Sequence, residues 1–436
     1  MIKRYCSAIY IFLFLLFVIT CHVEAKVKQT VLENALSILT QEDHSQPLVA
    51  VQVWVRAGAV DEQDENNGVS HFLEHMLFKG TKTMGAADLA RTIEANGGII
   101  NAATSKDFTY YHVVIPAEYY RTAVKLLGDI VTSATFPQEE VERERLVILE
   151  EIKRRYDNTQ AYLWDIANQN LYKEHPYHRT VLGTSFSVSQ LSRNALVDYY
   201  KRYYVPANMT FVLVGDFKTA DALSNIRAVF KDREYKSPQK TEYEPVQPGA
   251  LYFEQYRKTP HVHLWVGTLG PNIASEDQYA LDVLTSILGG GRSSRLYRKL
   301  KEEEGLAHSI SIMFLTVKGQ GPIYVNATCD PEKTDQLQKR ITEELFLMQK
   351  QAVTEEELKR AKTLIKSNFL FSKETFENQA FDLGYYQTIS DHSFTESYIR
   401  KIESVTKEDI MRVSRTYIKK GKLAFTLIKP LPEEKE

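Results

Sequence analysis

Five residues concentrate the chemistry of this chain: His71-Phe72-Leu73-Glu74-His75. Two imidazoles stand four positions apart, with a carboxylate three after the first and one before the second. On a helix, side chains at i, i+3 and i+4 share a face, so all three groups can converge on one point. Two neutral imidazoles beside a carboxylate suit a divalent cation, zinc first, and leave the Glu free to handle a water proton. The spacing inverts H-E-x-x-H, and H-x-x-E-H is itself a metal-hydrolase signature. The competing reading is a helix whose histidines are simply packed or solvated.

A catalytic zinc usually takes three protein ligands and keeps one open position, so a second element has to supply the third. The helix expected to open near Phe136 offers Glu144, Glu150 and Glu151. Glu144 and Glu151 share a face, whereas Glu150 points about 100° away from Glu151. Val147 and Ile148 are expected on the same side as that pair, which would make the face partly buried. On spacing alone, any Glu of this charged helix reads equally well as a solvated surface residue. Two further histidine pairs, His175 with His178 and His261 with His263, lack a convincing third ligand and read as loop and sheet structure.

The framework holding these elements is long and internally repeated. At 436 residues the chain exceeds what one core usually supports. A Pro- and charge-rich stretch, 236–248, reads as a linker between an N-terminal domain (26–235) and a C-terminal domain (249–436). Each half begins with a strand-like run, 48–57 and 261–267, followed by an apolar helix ending at Gly80 or Gly290. Gly-flanked β segments come next, then an amphipathic helix, then a long helix opened by Pro137-Gln138-Glu139-Glu140 or Thr354-Glu355-Glu356-Glu357. Setting Gly290 against Gly80 places Leu281, Leu284 and Thr285 opposite His71, Glu74 and His75. The second half keeps the helix and drops the chemistry. Strands in blocks separated by helical hairpins indicate an α+β fold.

The net charge of −2 gives no sign of nucleic-acid binding, and nothing after the N-terminus is apolar enough to span a membrane. Residues 1–25 read as a secretory signal peptide. Lys3 and Arg4 precede an apolar run, and Val23-Glu24-Ala25 offers a cleavage site. That predicts an exported, periplasmic protein, with lipidation at Cys21 as the alternative. Cleavage would leave Cys329 alone, a packed strand residue with no disulfide partner.

His71-Phe-Leu-Glu74-His75 followed by Glu151, 76 positions after His75, resembles the pitrilysin and mitochondrial processing peptidase family, in particular its short bacterial members. The likeness extends to Phe78-Lys79-Gly80-Thr81, Asn101-Ala102, His175-Pro176-Tyr177, Leu182-Gly183-Thr184 and Glu304-Gly305-Leu306-Ala307. It implies two homologous α/β-roll domains, each a mixed, mainly antiparallel sheet with helices packed on one side. Joined by the linker, they would form half of a clamshell. It also implies a zinc metalloendopeptidase acting on peptides or unfolded segments in an enclosed chamber. One Zn2+ per chain would be held by His71, His75 and Glu151, with Glu74 as general base and Glu144 supporting the site from outside. Asn101 and Ala102 would meet substrate on an edge strand, and Phe78 would line a pocket or pack in the core.

One stretch departs from the resemblance. Active relatives carry an Arg and a Tyr, seven residues apart, in a segment resembling L-R-x-x-x-G-L-x-Y; here these positions are Lys301 and His308. Lys lacks the bidentate fork of Arg, and His donates a hydrogen bond with a pH dependence that Tyr would not show. The resemblance therefore suggests a zinc-bearing subunit whose paralogous partner supplies the Arg and Tyr. A homodimer using Lys301 and His308 is the competing arrangement, and a non-catalytic assembly subunit is the alternative function.

Overall fold

The computed structural model describes residues 26–236, 244–246 and 251–432. The expected signal peptide, Cys21 and most of the expected linker lie outside these residues. Two sheets organise the chain. The first half runs β1 (Val27–Val31), β2 (Ser37–Glu42), β3 (Leu48–Val55), α1 (Val69–Leu77), α2 (Ala86–Glu94), β4 (Ile99–Thr104) and β5 (Thr109–Pro116). It continues with α3 (Tyr120–Ser133), α4 (Gln138–Asp157), α5 (Thr159–Tyr172), α6 (Ser185–Gln190), α7 (Arg193–Tyr203), β6 (Met209–Gly215) and α8 (Thr219–Phe230).

The second half repeats the plan. It runs β7 (Leu251–Arg257), β8 (Val262–Leu269), α9 (Asp277–Gly289), β9 (Ser309–Phe314), β10 (Pro322–Cys329), α10 (Thr334–Leu347) and α11 (Glu355–Phe371). It closes with α12 (Phe376–Ile389), α13 (Phe394–Ser404), α14 (Lys407–Tyr417) and β11 (Ala424–Pro430).

The strand orders make the duplication explicit: β1-β2-β6-β3-β5-β4 in one sheet and β7-β11-β8-β10-β9 in the other. Without β1 the two correspond strand for strand, down to a single parallel pair in each, β2–β6 and β7–β11. All other pairings are antiparallel. This is the α+β arrangement expected. Cys329 is buried in β10 as expected, and the Gly289-Gly290 turn is tight because a Cβ on Gly289 would stand 2.6 Å from Ile312.

Each sheet packs helices of its own half on one face, burying Val49, Val51 and Val53 in the first and Leu264, Val266 and Val325 in the second. The opposite face of each is covered by a helix from the other half. Phe376, Ala380 and Leu383 of α12 pack on Ala50, Trp54, Val212 and Val214 of the first sheet. Leu163, Ala167 and Leu171 of α5 pack on Trp265, Leu269 and Ile428 of the second. Gly384 permits the first contact, since a Cβ there would fall 2.0 Å from the indole nitrogen of Trp54. Burial on both faces explains why β3 and β6 are apolar at nearly every position rather than alternating. Among the described residues no helix is long and apolar enough to cross a membrane.

Candidate metal centre

Helix α1 carries the two imidazoles because its other face is core. Phe72, Leu73, Met76 and Leu77 are fully buried, each stabilising the packing by roughly 1.5–3 kcal/mol. Its start is fixed by the Glu62 carboxylate, which accepts from the backbone N–H groups of Gly68 (2.7 Å) and Ser70 (2.8 Å). A negative group at a helix N-terminus satisfies otherwise unpaired donors and complements the dipole. Gly68 adopts φ +97°, and a Cβ there would meet the carbonyl of Leu182 at 2.7 Å. The Leu182-Gly183-Thr184 segment is therefore the seat against which the motif helix is set.

His71 and His75 present their rings from one face, 4.7 Å apart between centroids. Glu151 comes from α4: its Oε2 stands 3.7 Å from His71 Nε2 and 3.8 Å from His75 Nε2. The three ligand atoms lie within 4.8 Å of one another. Ligands of a tetrahedral zinc, at ~2.0–2.2 Å from the ion, stand about 3.4 Å apart, so this donor set fits the cation with small side-chain adjustments. Burial, then the neighbouring His75, pushes the His71 imidazole down to about 3, keeping it neutral as a ligand must be. Glu151 is 45% exposed and leaves one side of the cluster open.

Glu144 does not join the cluster. Its buried carboxylate accepts from His75 Nδ1 at 3.0 Å and pairs with Lys79 Nζ at 2.6 Å. Engaging Nδ1 leaves Nε2 of His75 turned toward Glu151. Val147, expected beside it, is 47% exposed, because it sits at the shoulder of a face centred on Val141, Glu144 and Ile148. Glu150 is exposed and pairs with Arg154, away from the cluster.

Glu74 lies half-buried next to the cluster, and its Oε2 accepts from Thr104 Oγ1 of β4 at 2.5 Å. Burial raises its proton affinity, and the Thr104 hydrogen bond and His75 partly oppose this. A carboxyl tuned upward is poised to accept and return a proton. Sequence reasoning assigns no role to Thr104 or Lys79. Thr104 lies three residues past Asn101, and Lys79 is four residues after His75, the two available signals.

The remaining expected residues lie outside the cluster. Asn101 and Ala102 are on β4, which among the described residues pairs only with β5 and leaves one edge unpaired, and the Asn101 side chain accepts from the Ala102 N–H at 2.9 Å. Phe78 closes the end of α1 half-buried, its ring 5.9 Å from Tyr111, so core packing accounts for it. Lys301 and His308 are engaged within their own half. Lys301 lies over the Tyr297 ring at 5.0 Å, and His308 Nε2 meets Asp330 at 2.7 Å. His175 and His178 serve loop structure, binding the Tyr177 N–H and facing Asp64. One sequence expectation is corrected: His261 does not want for further ligands, since the fold sets His308 and Asp330 beside it, while His263 bonds Thr259 instead.

A duplicated α+β chain with an inverted zinc-hydrolase motif in one half and a silent copy in the other has the build of a peptidase-type protein. The chain belongs to peptidase family M16. Residues 37–185 match the model described as insulinase (peptidase family M16), and residues 190–365 match the peptidase M16 inactive domain. A protein of Bacillus subtilis named an uncharacterised zinc protease is 27% identical over 93% of this chain and 98% of its own length. One of Mycobacterium leprae with the same description is 30% identical, covering 91% of this chain and 90% of its own length. The crystal structure of a protease from Helicobacter pylori superposes with a TM-score of 0.89 at 25% identity, over 93% of this chain and all of that one.

Proposed function

We propose that this chain is a zinc-dependent endopeptidase subunit acting on peptides or unfolded segments. The observation that carries this reading is the convergence of His71 Nε2, His75 Nε2 and Glu151 Oε2 from two helices, with the proton-accepting carboxyl of Glu74 alongside. The relatives' description as zinc proteases supports zinc as the cation. When bound, zinc supplies Lewis acidity toward the scissile carbonyl and the attacking water. Glu74 accepts that water's proton and returns it to the leaving amine, while Thr104 holds the carboxylate in place. Glu144 and Lys79 fix the orientation of His75. The free edge of β4 receives the substrate as an added strand, with Asn101 and Ala102 at the contact.

The internal engagements of Lys301 and His308 support a partner subunit as the source of the missing Arg and Tyr. Export to the periplasm rests on residues 1–25 alone. The test is hydrolysis of a quenched fluorescent peptide by the purified zinc-loaded chain, alone and mixed with a family paralogue carrying L-R-x-x-x-G-L-x-Y. Activity in the mixture, lost with Glu74→Gln at unchanged metal content, supports the reading. Full activity with Glu74→Gln ends it, and equal activity without the paralogue ends the two-subunit version.

A further inference from the structure

A second set of metal-type ligands converges far from the motif in sequence. His261 immediately precedes β8, His308 immediately precedes β9, and Asp330 immediately follows β10. These strands are neighbours and β10 is antiparallel to both others, so the three residues meet at one end of the second sheet. The N–H of His308 donates to the Thr328 carbonyl at 2.8 Å, which fixes its backbone against β10.

Both imidazoles address one carboxylate oxygen. Oδ1 of Asp330 lies 2.7 Å from His308 Nε2 and 3.8 Å from His261 Nδ1. The other oxygen, Oδ2, is held by Lys333 Nζ at 2.9 Å, which fixes the carboxylate's orientation. The ring centroids are 4.5 Å apart, against 4.7 Å for His71 and His75. A hydrogen bond between His308 and Asp330 explains that pair but leaves His261 Nδ1 buried with no hydrogen-bond partner. A cation explains all three atoms. The two distances to Oδ1 bracket the roughly 3.4 Å separation of ligands about a tetrahedral zinc.

We propose that His261, His308 and Asp330 form a second metal site, selective for a borderline divalent transition cation such as zinc or cobalt(II). Two imidazoles and one carboxylate disfavour calcium and magnesium, which take oxygen ligands. The rings of His261 and His308 are 44% and 47% exposed, so the cation reaches the site from solvent and keeps water in its remaining positions. Bound there, it ties the ends of three strands together.

The experiment removes the first centre, so that its outcome is independent of the peptidase reading. The full chain carrying His71→Ala and Glu151→Ala is titrated with Co2+ and followed by its visible d–d absorption. One equivalent bound at micromolar concentration, abolished by adding either His261→Ala or His308→Ala with the circular dichroism unchanged, is the expected result. In parallel, metal analysis of zinc-loaded chain with an intact first centre should fall from two equivalents to one on Asp330→Asn. Absence of Co2+ binding in the first variant, or its persistence after both histidine substitutions, overturns the proposal.

Discussion

Helices α1 and α9 occupy the same place in two copies of one fold and have opposite contents. Both lie over a sheet of the same strand order, and both send their apolar residues into its core. In α1 the face turned toward the neighbouring long helix carries His71, Glu74 and His75; in α9 the corresponding positions are Leu281, Leu284 and Thr285, all buried. The difference is not one of fold stability won or lost by backbone geometry. It lies in whether three side chains are given to packing or to chemistry, and the second half shows that the architecture does not require them.

The largest consequence is catalytic. Glu74→Gln should reduce peptide hydrolysis by about 10²–10⁴-fold while leaving the zinc content unchanged. The comparison is broken if the substituted chain keeps its rate. In the opposite copy, Leu284→Glu places a carboxylate at a fully buried position and should destabilise the chain by about 4 kcal/mol or more in urea unfolding. Glu74→Leu, its mirror image, should leave stability unchanged or raise it. Equal losses from the two exchanges would show that α1 is given over to packing as fully as α9.

A smaller effect is expected at the support of the site. Glu144→Ala removes the carboxylate that orients His75 and should weaken zinc binding by about 10–100-fold, read by competition with a chromophoric chelator. A pH effect is expected in the second half. Asp282 of α9, hydrogen-bonded to Tyr398, is pushed by burial from the usual carboxylate range up to about 7. Its proton is held more tightly in the folded chain than in the unfolded one. Stability is therefore full below about pH 4, declines as pH rises toward 7, and stays lowered above that. Asp282→Asn should flatten that decline, seen as a smaller difference between the urea midpoints at pH 5 and pH 8.

Much of the plan is legible in the sequence because it is local. The motif spacing, the glycine-terminated helices and the acidic openings of α4 and α11 are short-range signals, and the structure places each on the element expected. The parallel pair in each sheet is not legible, since β6 and β11 return from far along the chain. Nor are the exchanged helices: α5 and α12 are covered on more than one side, so their sequences lack the clean apolar stripe that announces a partner. Thr104 and His261 are obscured for a related reason. A threonine on a strand or a histidine before one gains its meaning only from what the fold brings opposite, Glu74 in one case and Asp330 in the other.

The crossing of α5 and α12 has a consequence for how the chain holds together. Each half closes the other's exposed sheet with an equivalent helix, as two identical subunits would in a swapped dimer. The chain behaves as such a dimer written into one polypeptide. A protease nick between residues 236 and 248 should therefore leave two fragments that stay bound and co-elute, and neither half should fold once parted from its twin. Parting the two halves would therefore uncover a face of both sheets at once.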